Sequence, residues 1–311
     1  MKIFCHVPRE NWIVDRMGKE FVTHSKHSVS TETIEADTEV IWLFASWCWN
    51  QIPVHILKNK KVLCTIHHEV PEKFNKQRKE NFLARDVYVD HYHTYTKETY
   101  DLIKSLTDKP VKIIPHWVND KIWKQKSKLS CRQNLNLPTD KFIIGSFQRD
   151  TEGSDLCTPK MEKGPDIFVD KVVDICKFRD DVHVLLSGWR RQYVMSRLKS
   201  AGIEYTYVDR PEQNVINDLY NALDLYIVSS RCEGGPQAIF EASCLMKPII
   251  STSVGQSFFL SKDCIYKTAE TITPKLIDLS SSSTEYNFSN INQLLIDNHI
   301  KQYDKFLEEI L

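Results

Sequence analysis

Residues 224–255 read DLYIVSSRCEGGPQAIFEASCLMKPIISTSVG. Leu225 to Val228 form an unbroken apolar run, as a strand buried on both faces requires, and a polar, glycine-containing turn separates it from a helical segment that opens at Pro236. Strand, turn and helix in that order are the repeating unit of parallel α/β domains. Gly234 and Gly235 lack a Cβ, so the backbone there can approach a ligand closely, and Pro236 suits the first helical position because its absent N–H is not needed. The first-turn amides and the positive end of the helix dipole then face the space beyond the strand's C-terminal end, where they favour a phosphate. Glu233 precedes the helix and Glu241 lies inside it. Their spacing is too long for an i,i+4 pair on one helix face, so they are placed to meet two parts of one long ligand.

EGGPQAIFE resembles the E-x7-E signature of the retaining, family-4 type glycosyltransferases with the two-domain GT-B fold. Ala242, Pro248 to Ile250 and Val254-Gly255 are similar to the run that follows the signature in that family. There the first Glu contacts hydroxyls of the donor sugar and the second holds the ribose. The resemblance therefore implies those roles for Glu233 and Glu241, with Gly234, Gly235, Pro236 and Gln237 beside the donor; Gly-Gly-Pro stands where the family usually has Gly-Phe-Gly. Upstream, FIIGSFQRD and PKMEKGPDIF are similar to the family's Arg and Lys-Gly pair, whose cations bind the donor diphosphate. These map to Arg149 and Lys163, with Lys160 as a competitor for the second place. HVLLSGW at 183–189 is another buried strand, and Gly188 at its end joins the implied donor contacts.

Further outward, strand-like and helical segments alternate on both sides, which predicts α/β architecture: GT-B, two Rossmann-like parallel-sheet domains facing a cleft. The expected division is an acceptor-side domain over 1–124, a nucleotide-sugar domain over 130–289, and a C-terminal helix over 290–311 that packs back on the first domain. The IIPHWVNDKIW stretch is similar to the family segment that closes the N-terminal domain. In the first half, VIWLFASWCWN at 40–50 and KVLCTIHHE at 61–69 read as buried strands, and TIHHE resembles the family's strand ending in a histidine near the donor sugar, which selects His67. Trp12 and Arg16 follow the first strand as candidate cleft residues. His91 and His93 share a strand face, but no third ligand is spaced to make a metal site with them. The serine run Ser280 to Ser283 reads as a surface loop. The last segment carries Ile296, Ile300, Tyr303, Leu307 and Ile310 on one helical stripe.

Composition narrows the classes. The 311 residues suffice for two domains, and 41 Lys and Arg balance 41 Asp and Glu, so no net field calls for nucleic acid. Residues 1–130 hold 21 basic against 16 acidic side chains. That surplus fits a polyanionic acceptor or peripheral membrane association as well as it fits ordinary scatter of surface charge. Nine cysteines without a C-x-x-C pair read as reduced core residues, and neither a signal peptide nor a membrane span is evident, so the expected location is cytoplasmic.

The resemblance implies a retaining transfer of a sugar, from a donor such as UDP-glucose or GDP-mannose, to a hydroxyl on a glycan, glycolipid or glycoprotein. No D-x-D occurs, which fits a reaction without a metal or other cofactor. The alternatives are a sugar-nucleotide epimerase of similar fold and a non-catalytic nucleotide-sugar-binding protein. A dehydrogenase is disfavoured because no G-x-G-x-x-G follows a strand.

Overall fold

The computed structural model describes residues 1–11 and 13–311, and the chain divides into two compact units, residues 1–117 with 293–311 and residues 118–292. Trp12 lies outside the described residues.

The first unit alternates β1 (Lys2–His6), α1 (Ile13–His24), β2 (Ser28–Ser30), β3 (Val40–Leu43), α2 (Val54–Asn59), β4 (Lys61–Ile66), α3 (Lys76–Asp86), β5 (His91–Thr94), α4 (Lys97–Lys104) and β6 (Val111–Ile113). Its sheet is parallel throughout in the order β2-β1-β3-β4-β5-β6. Because helices cover both faces, the central strand β3 is apolar at every position, and Val40, Ile41, Trp42 and Leu43 are all buried. The aromatic run 40–50 is therefore only partly strand, since β3 ends at Leu43 and Ser46–Gln51 turns as a 3₁₀ segment. Two cations of α3 pair locally, Lys76 with Glu80 at 3.8 Å and Arg78 with Glu69 at 2.7 Å, as on a solvated helix face. On α1, Arg16 pairs with Glu20 at 3.6 Å.

The second unit contains α5 (Lys128–Asn134), β7 (Phe142–Ser146), α6 (Pro165–Cys176), β8 (Val182–Ser187), α7 (Gln192–Ser200), β9 (Tyr205–Val208), α8 (Gln213–Asn221), β10 (Leu225–Val228), α9 (Gln237–Cys244), β11 (Ile249–Ser251), α10 (Pro274–Ser282) and α11 (Thr284–Ile291). Its sheet is also parallel, in the order β11-β10-β7-β8-β9. The order reverses direction between β7 and β10, and this is where ligands bind in open α/β sheets.

Two expectations are corrected. Pro236 is not the first helical residue: its ψ of 116° is extended, it stands at the N-cap, and α9 begins at Gln237. The serine run is not a surface loop but the end of α10. Ser280 and Ser281 donate to the carbonyl of Ile277 at 2.9 and 3.0 Å, and Ser282 to that of Leu279 at 3.0 Å, so their hydroxyls are satisfied inside the helix.

The last helix, α12 (Ile296–Glu308), belongs to the first unit and starts later than the amphipathic pattern suggests. Ile296, Ile300, Tyr303, Leu307 and Ile310 are buried in a core with Ile3, Phe21 and Trp42. His299 Nε2 and the Tyr303 hydroxyl both meet the carbonyl of Pro115 at 2.8 Å.

Candidate functional site

In the second unit, the loops leaving β7 and β10 converge beyond the C-terminal edge of the sheet. They can do so because residue 164 is glycine. Gly164 holds φ at +60°, and a Cβ there would lie 1.8 Å from the carbonyl oxygen of Ser229. With that space empty, two segments lock together. The amides of Arg231 and Cys232 donate to the carbonyl of Glu162 at 2.8 and 3.1 Å, and the Ser229 hydroxyl and Gln148 Nε2 donate to that of Lys163 at 3.2 and 2.9 Å. The Arg231 guanidinium takes both carboxylate oxygens of Asp166 at 2.7 and 2.6 Å, a two-point pair that fixes geometry as well as charge. Gly255 closes the other side, since a Cβ on it would fall 2.9 Å from the carbonyl of Glu233 and 2.7 Å from the amide of Gly235.

This clasp brings the Lys163 ammonium onto the Glu233 carboxylate, which also accepts from the Ser230 hydroxyl at 3.1 Å. Arg149, just past β7, is fixed by a 2.7 Å bond from its Nε to the carbonyl of Thr151. Between Arg149 and Lys163 the chain makes a small hairpin, with Thr151 bridged to Pro159, that returns the amide of Lys160 to the carbonyl of Asp150 at 2.8 Å. Lys160 is thereby set beside the other two cations. Burial lowers its pKa, Lys163 and Arg149 lower it further, and Glu162 at 3.4 Å opposes them. Three cations thus gather against Glu162 and Glu233, below the start of α9, whose N-cap Pro236 supplies no side-chain hydrogen bond to the first-turn amides. Excess positive charge with donating amides suits a polyphosphate.

Glu241 lies on α9, buried, and accepts a 2.8 Å bond from the Tyr220 hydroxyl. Burial, with the Glu241 carboxylate next, raises the Tyr220 pKa well above its ordinary value, so Tyr220 stays a donor. Tyr220 stacks edge-on against Phe147 at 4.8 Å, which joins Glu241 to the loop after β7. Gly188 follows β8 with φ at +99°, and its carbonyl lies 2.9 Å from the Tyr207 hydroxyl. Gly234, Gly235 and Pro236 form the loop between Glu233 and α9, and Gln237 opens the helix. The second unit therefore brings Arg149, Lys163 and Glu233 together, with Lys160 added. Gln148, Ser229, Ser230 and Tyr220 support them. Only their position at strand ends could have singled out Gln148, Ser229 and Ser230, since none forms a motif.

His67 belongs to the first unit, at the end of β4. Its Nε2 lies 2.8 Å from the carbonyl of Phe44, and a carbonyl only accepts, so the proton is on Nε2 and Nδ1 is left as an acceptor. Burial among Phe44, Trp47 and Tyr95 pushes its pKa down to about 4, with the Phe44 bond opposing and His68 adding to the shift. It is neutral at pH 7. His91 and His93 do not form a metal site: His93 is bonded to Thr65 and to the carbonyl of Ile114, each at 3.0 Å. Among the described residues no group of three or more His, Cys, Asp or Glu side chains is placed to share a metal ion, and no helix is long and apolar enough to cross a membrane.

Residues 155–275 match the family described as glycosyl transferases group 1. Over 156 residues the chain is 26% identical to the lipopolysaccharide core biosynthesis mannosyltransferase LpsB of Rhizobium meliloti (strain 1021), covering 48% of this chain and 42% of that protein. The match thus spans less than half the length of that relative. In fold the chain is similar to Anabaena HepE, solved in complex with UDP and glucose, with a TM-score of 0.79 and 12% identity over 99% of both chains. It is also similar to sucrose-phosphate synthase from Thermosynechococcus elongatus, with a TM-score of 0.70 and 14% identity over 98% of this chain and 80% of that one. These identities carry the fold. The chain shares the two-domain GT-B fold of these proteins, a parallel sheet flanked by helices in each unit, and the segment that matches the group 1 glycosyl transferases, residues 155–275, contains the clasp of Lys163 and Glu233.

Proposed function

We propose that the protein is a retaining glycosyltransferase that moves a hexose from a nucleoside-diphosphate sugar to a hydroxyl of a carbohydrate or glycoconjugate, in the cytoplasm and without a metal. The observation that carries this reading is the contact of Lys163 with Glu233 beside Arg149 and Lys160 at the switch point of the second sheet. HepE was solved with UDP and glucose and LpsB is named for mannosyl transfer, so the donor is sought among UDP-glucose and GDP-mannose.

Cleaving the anomeric bond leaves negative charge on the diphosphate and positive character on the sugar. Arg149, Lys163 and the first-turn amides of α9 are set to stabilise the first, and the Glu233 carboxylate the second, without reorganisation. Glu241 takes the ribose hydroxyls. Neutral His67, with Nδ1 as an acceptor, orients a sugar hydroxyl, and Gly188 and residues 234–237 complete the donor contacts. The departing phosphate takes the acceptor's proton, so Glu233 positions the sugar and is not a nucleophile. The first unit meets the acceptor.

The test is a thermal-shift panel of UDP, GDP and ADP sugars, followed by transfer of labelled sugar from the stabilising donor to oligosaccharide acceptors with and without EDTA. A ligand that binds only the folded state raises its melting temperature by mass action. The expected result is stabilisation by one nucleotide class and transfer that persists in EDTA. No stabilisation by any member overturns the reading, and activity lost to EDTA and restored by manganese overturns its metal-free form.

A further inference from the structure

Trp189 is 51% exposed, more than any other described tryptophan. An indole left half in water is normally covered unless something holds it out, and here the backbone does. On either side of it, Gly188 has φ of +99° and Arg190 φ of +61°, a left-handed conformation that a side-chain-bearing residue adopts only when its surroundings impose it. The surroundings are explicit. The carbonyl of Arg190 accepts from the amide of Asp150 at 3.2 Å and from the Thr151 hydroxyl at 3.3 Å, and its guanidinium reaches the carbonyl of Gly153. Beneath, fully buried Arg191 pairs with Asp150 at 3.0 Å and donates to the carbonyls of Ser146 and Ser187 at 2.6 and 3.0 Å, tying the ends of β7 and β8 together. The ring is a rigid, presented surface.

Its neighbours say what it presents to. The guanidinium of Arg149 lies 5.3 Å from the ring centroid and that of Arg190 5.2 Å. Arg190 is itself nine-tenths buried, with an Nε that finds no hydrogen-bond partner. The strands β10, β7 and β8 are consecutive in the sheet, and their exits carry Glu233, Arg149 and Trp189 in that order. Sugar, diphosphate and nucleoside are consecutive parts of one donor. With Glu233 on the sugar and Arg149 on the diphosphate, the next exit along is where the nucleoside extends.

We propose that the exposed face of Trp189 is the stacking platform for the nucleobase of the nucleoside diphosphate held by Arg149 and Lys163. The assignment rests on the donor site proposed above. Every base has a π face, so the platform holds the nucleotide without choosing the base. Choice falls to polar groups beside it, and Tyr207 is one: its hydroxyl lies 2.9 Å from the carbonyl of Gly188 and 2.8 Å from the Asp209 carboxylate, and its single proton serves one of them at a time.

The experiment titrates UDP, GDP and inorganic pyrophosphate into the wild-type protein and the Trp189→Ala and Trp189→Phe variants, reading calorimetry and tryptophan emission. The expected result is an affinity for the nucleotide lowered about 5- to 150-fold in the alanine variant and recovered in the phenylalanine variant. Nucleotide quenches the wild-type emission, pyrophosphate does not, and the quenching disappears in Trp189→Phe while affinity stays. Equal nucleotide affinity in all three proteins overturns the platform alone. So does quenching that survives in Trp189→Phe, because the base then sits on another indole. If the wild-type protein binds neither nucleotide, the donor site and the platform fall together.

Discussion

At Glu233 one carboxylate meets both the Lys163 ammonium and the Ser230 hydroxyl. Neutralising it in Glu233→Gln leaves Lys163 uncompensated beside the phosphate position, so affinity for the free nucleoside diphosphate should stay level or rise. Transfer, which depends on a carboxylate beside a sugar gaining positive charge, should fall by about 10²-fold or more. Paired measurements of diphosphate affinity and single-turnover rate decide it, and an equal loss in both would mean that Glu233 holds the loop and not the sugar. Glu241 behaves differently because it is buried and bonded to Tyr220. Glu241→Ala removes the carboxylate acceptor of the Tyr220 hydroxyl, leaves it the Tyr226 hydroxyl as a side-chain partner, and should cost about 1–3 kcal/mol of stability in addition to weakening nucleotide binding. A variant with wild-type denaturation midpoint would show that the Tyr226 contact suffices.

Among the elements, the loop that carries Lys163 depends on a residue with no chemistry. Gly164→Ala sets a methyl group against the Ser229 carbonyl at a φ of +60°, where both contact and backbone resist it. The variant should lose about 2 kcal/mol or more in chemical denaturation and lose nucleotide binding with every charged side chain intact; binding at wild-type strength would mean that the clasp is not what positions the cations. The elements were legible in the sequence to different degrees. Strands such as Val40–Leu43 and Leu225–Val228 stand out because burial on both faces demands continuous apolar runs. The turn Ser46–Gln51 hid inside such a run, since Trp47 and Trp49 read as core residues, although Trp47 is exposed and Trp49 only half-buried. Ser280 to Ser283 misled because side-chain bonds to carbonyls one turn back replace the water a serine usually seeks. The hairpin between Arg149 and Lys160 depends on a bridge from Thr151 to Pro159 and on contacts from Arg190, far along the chain, and no local pattern announces these. Arg149, Lys163, Glu233 and Glu241 were nameable from a motif, and Tyr220 from the helix that precedes it, whereas supports such as Gln148 and Ser229 were not, because they act from separate segments.

For the molecule as a whole, acid is the first unit's weak point. His93 is buried, and its Nδ1 faces the Thr65 hydroxyl, which also accepts from Trp42 Nε1 at 2.8 Å, while its Nε2 faces the carbonyl of Ile114. Burial pushes its pKa down to about 3, the Ile114 bond opposes, and His67 and His299 add to the shift; burial also lowers His67, His116 and His299. A folded pKa below the unfolded value of about 6.5 means that the unfolded chain binds more protons, so the stability is full above pH 6.5 and drains as pH falls toward 3 or 4. At pH 5 His67 and His93, held neutral, each cost about 2 kcal/mol. Denaturation midpoints should fall between pH 7.5 and pH 5, less steeply in His93→Gln, and a flat profile would show that the cluster titrates normally. The membership of α12 in the first unit reaches further still, into how the protein is born. The groove lined by Ile3, Phe21 and Trp42 emerges from the ribosome long before Ile300 and Leu307, which fill it. At roughly 5–20 residues per second, translation of residues 118–292 holds that groove open for about 10–35 s. The half synthesised first is thus completed last, and its apolar groove stays uncovered through that interval.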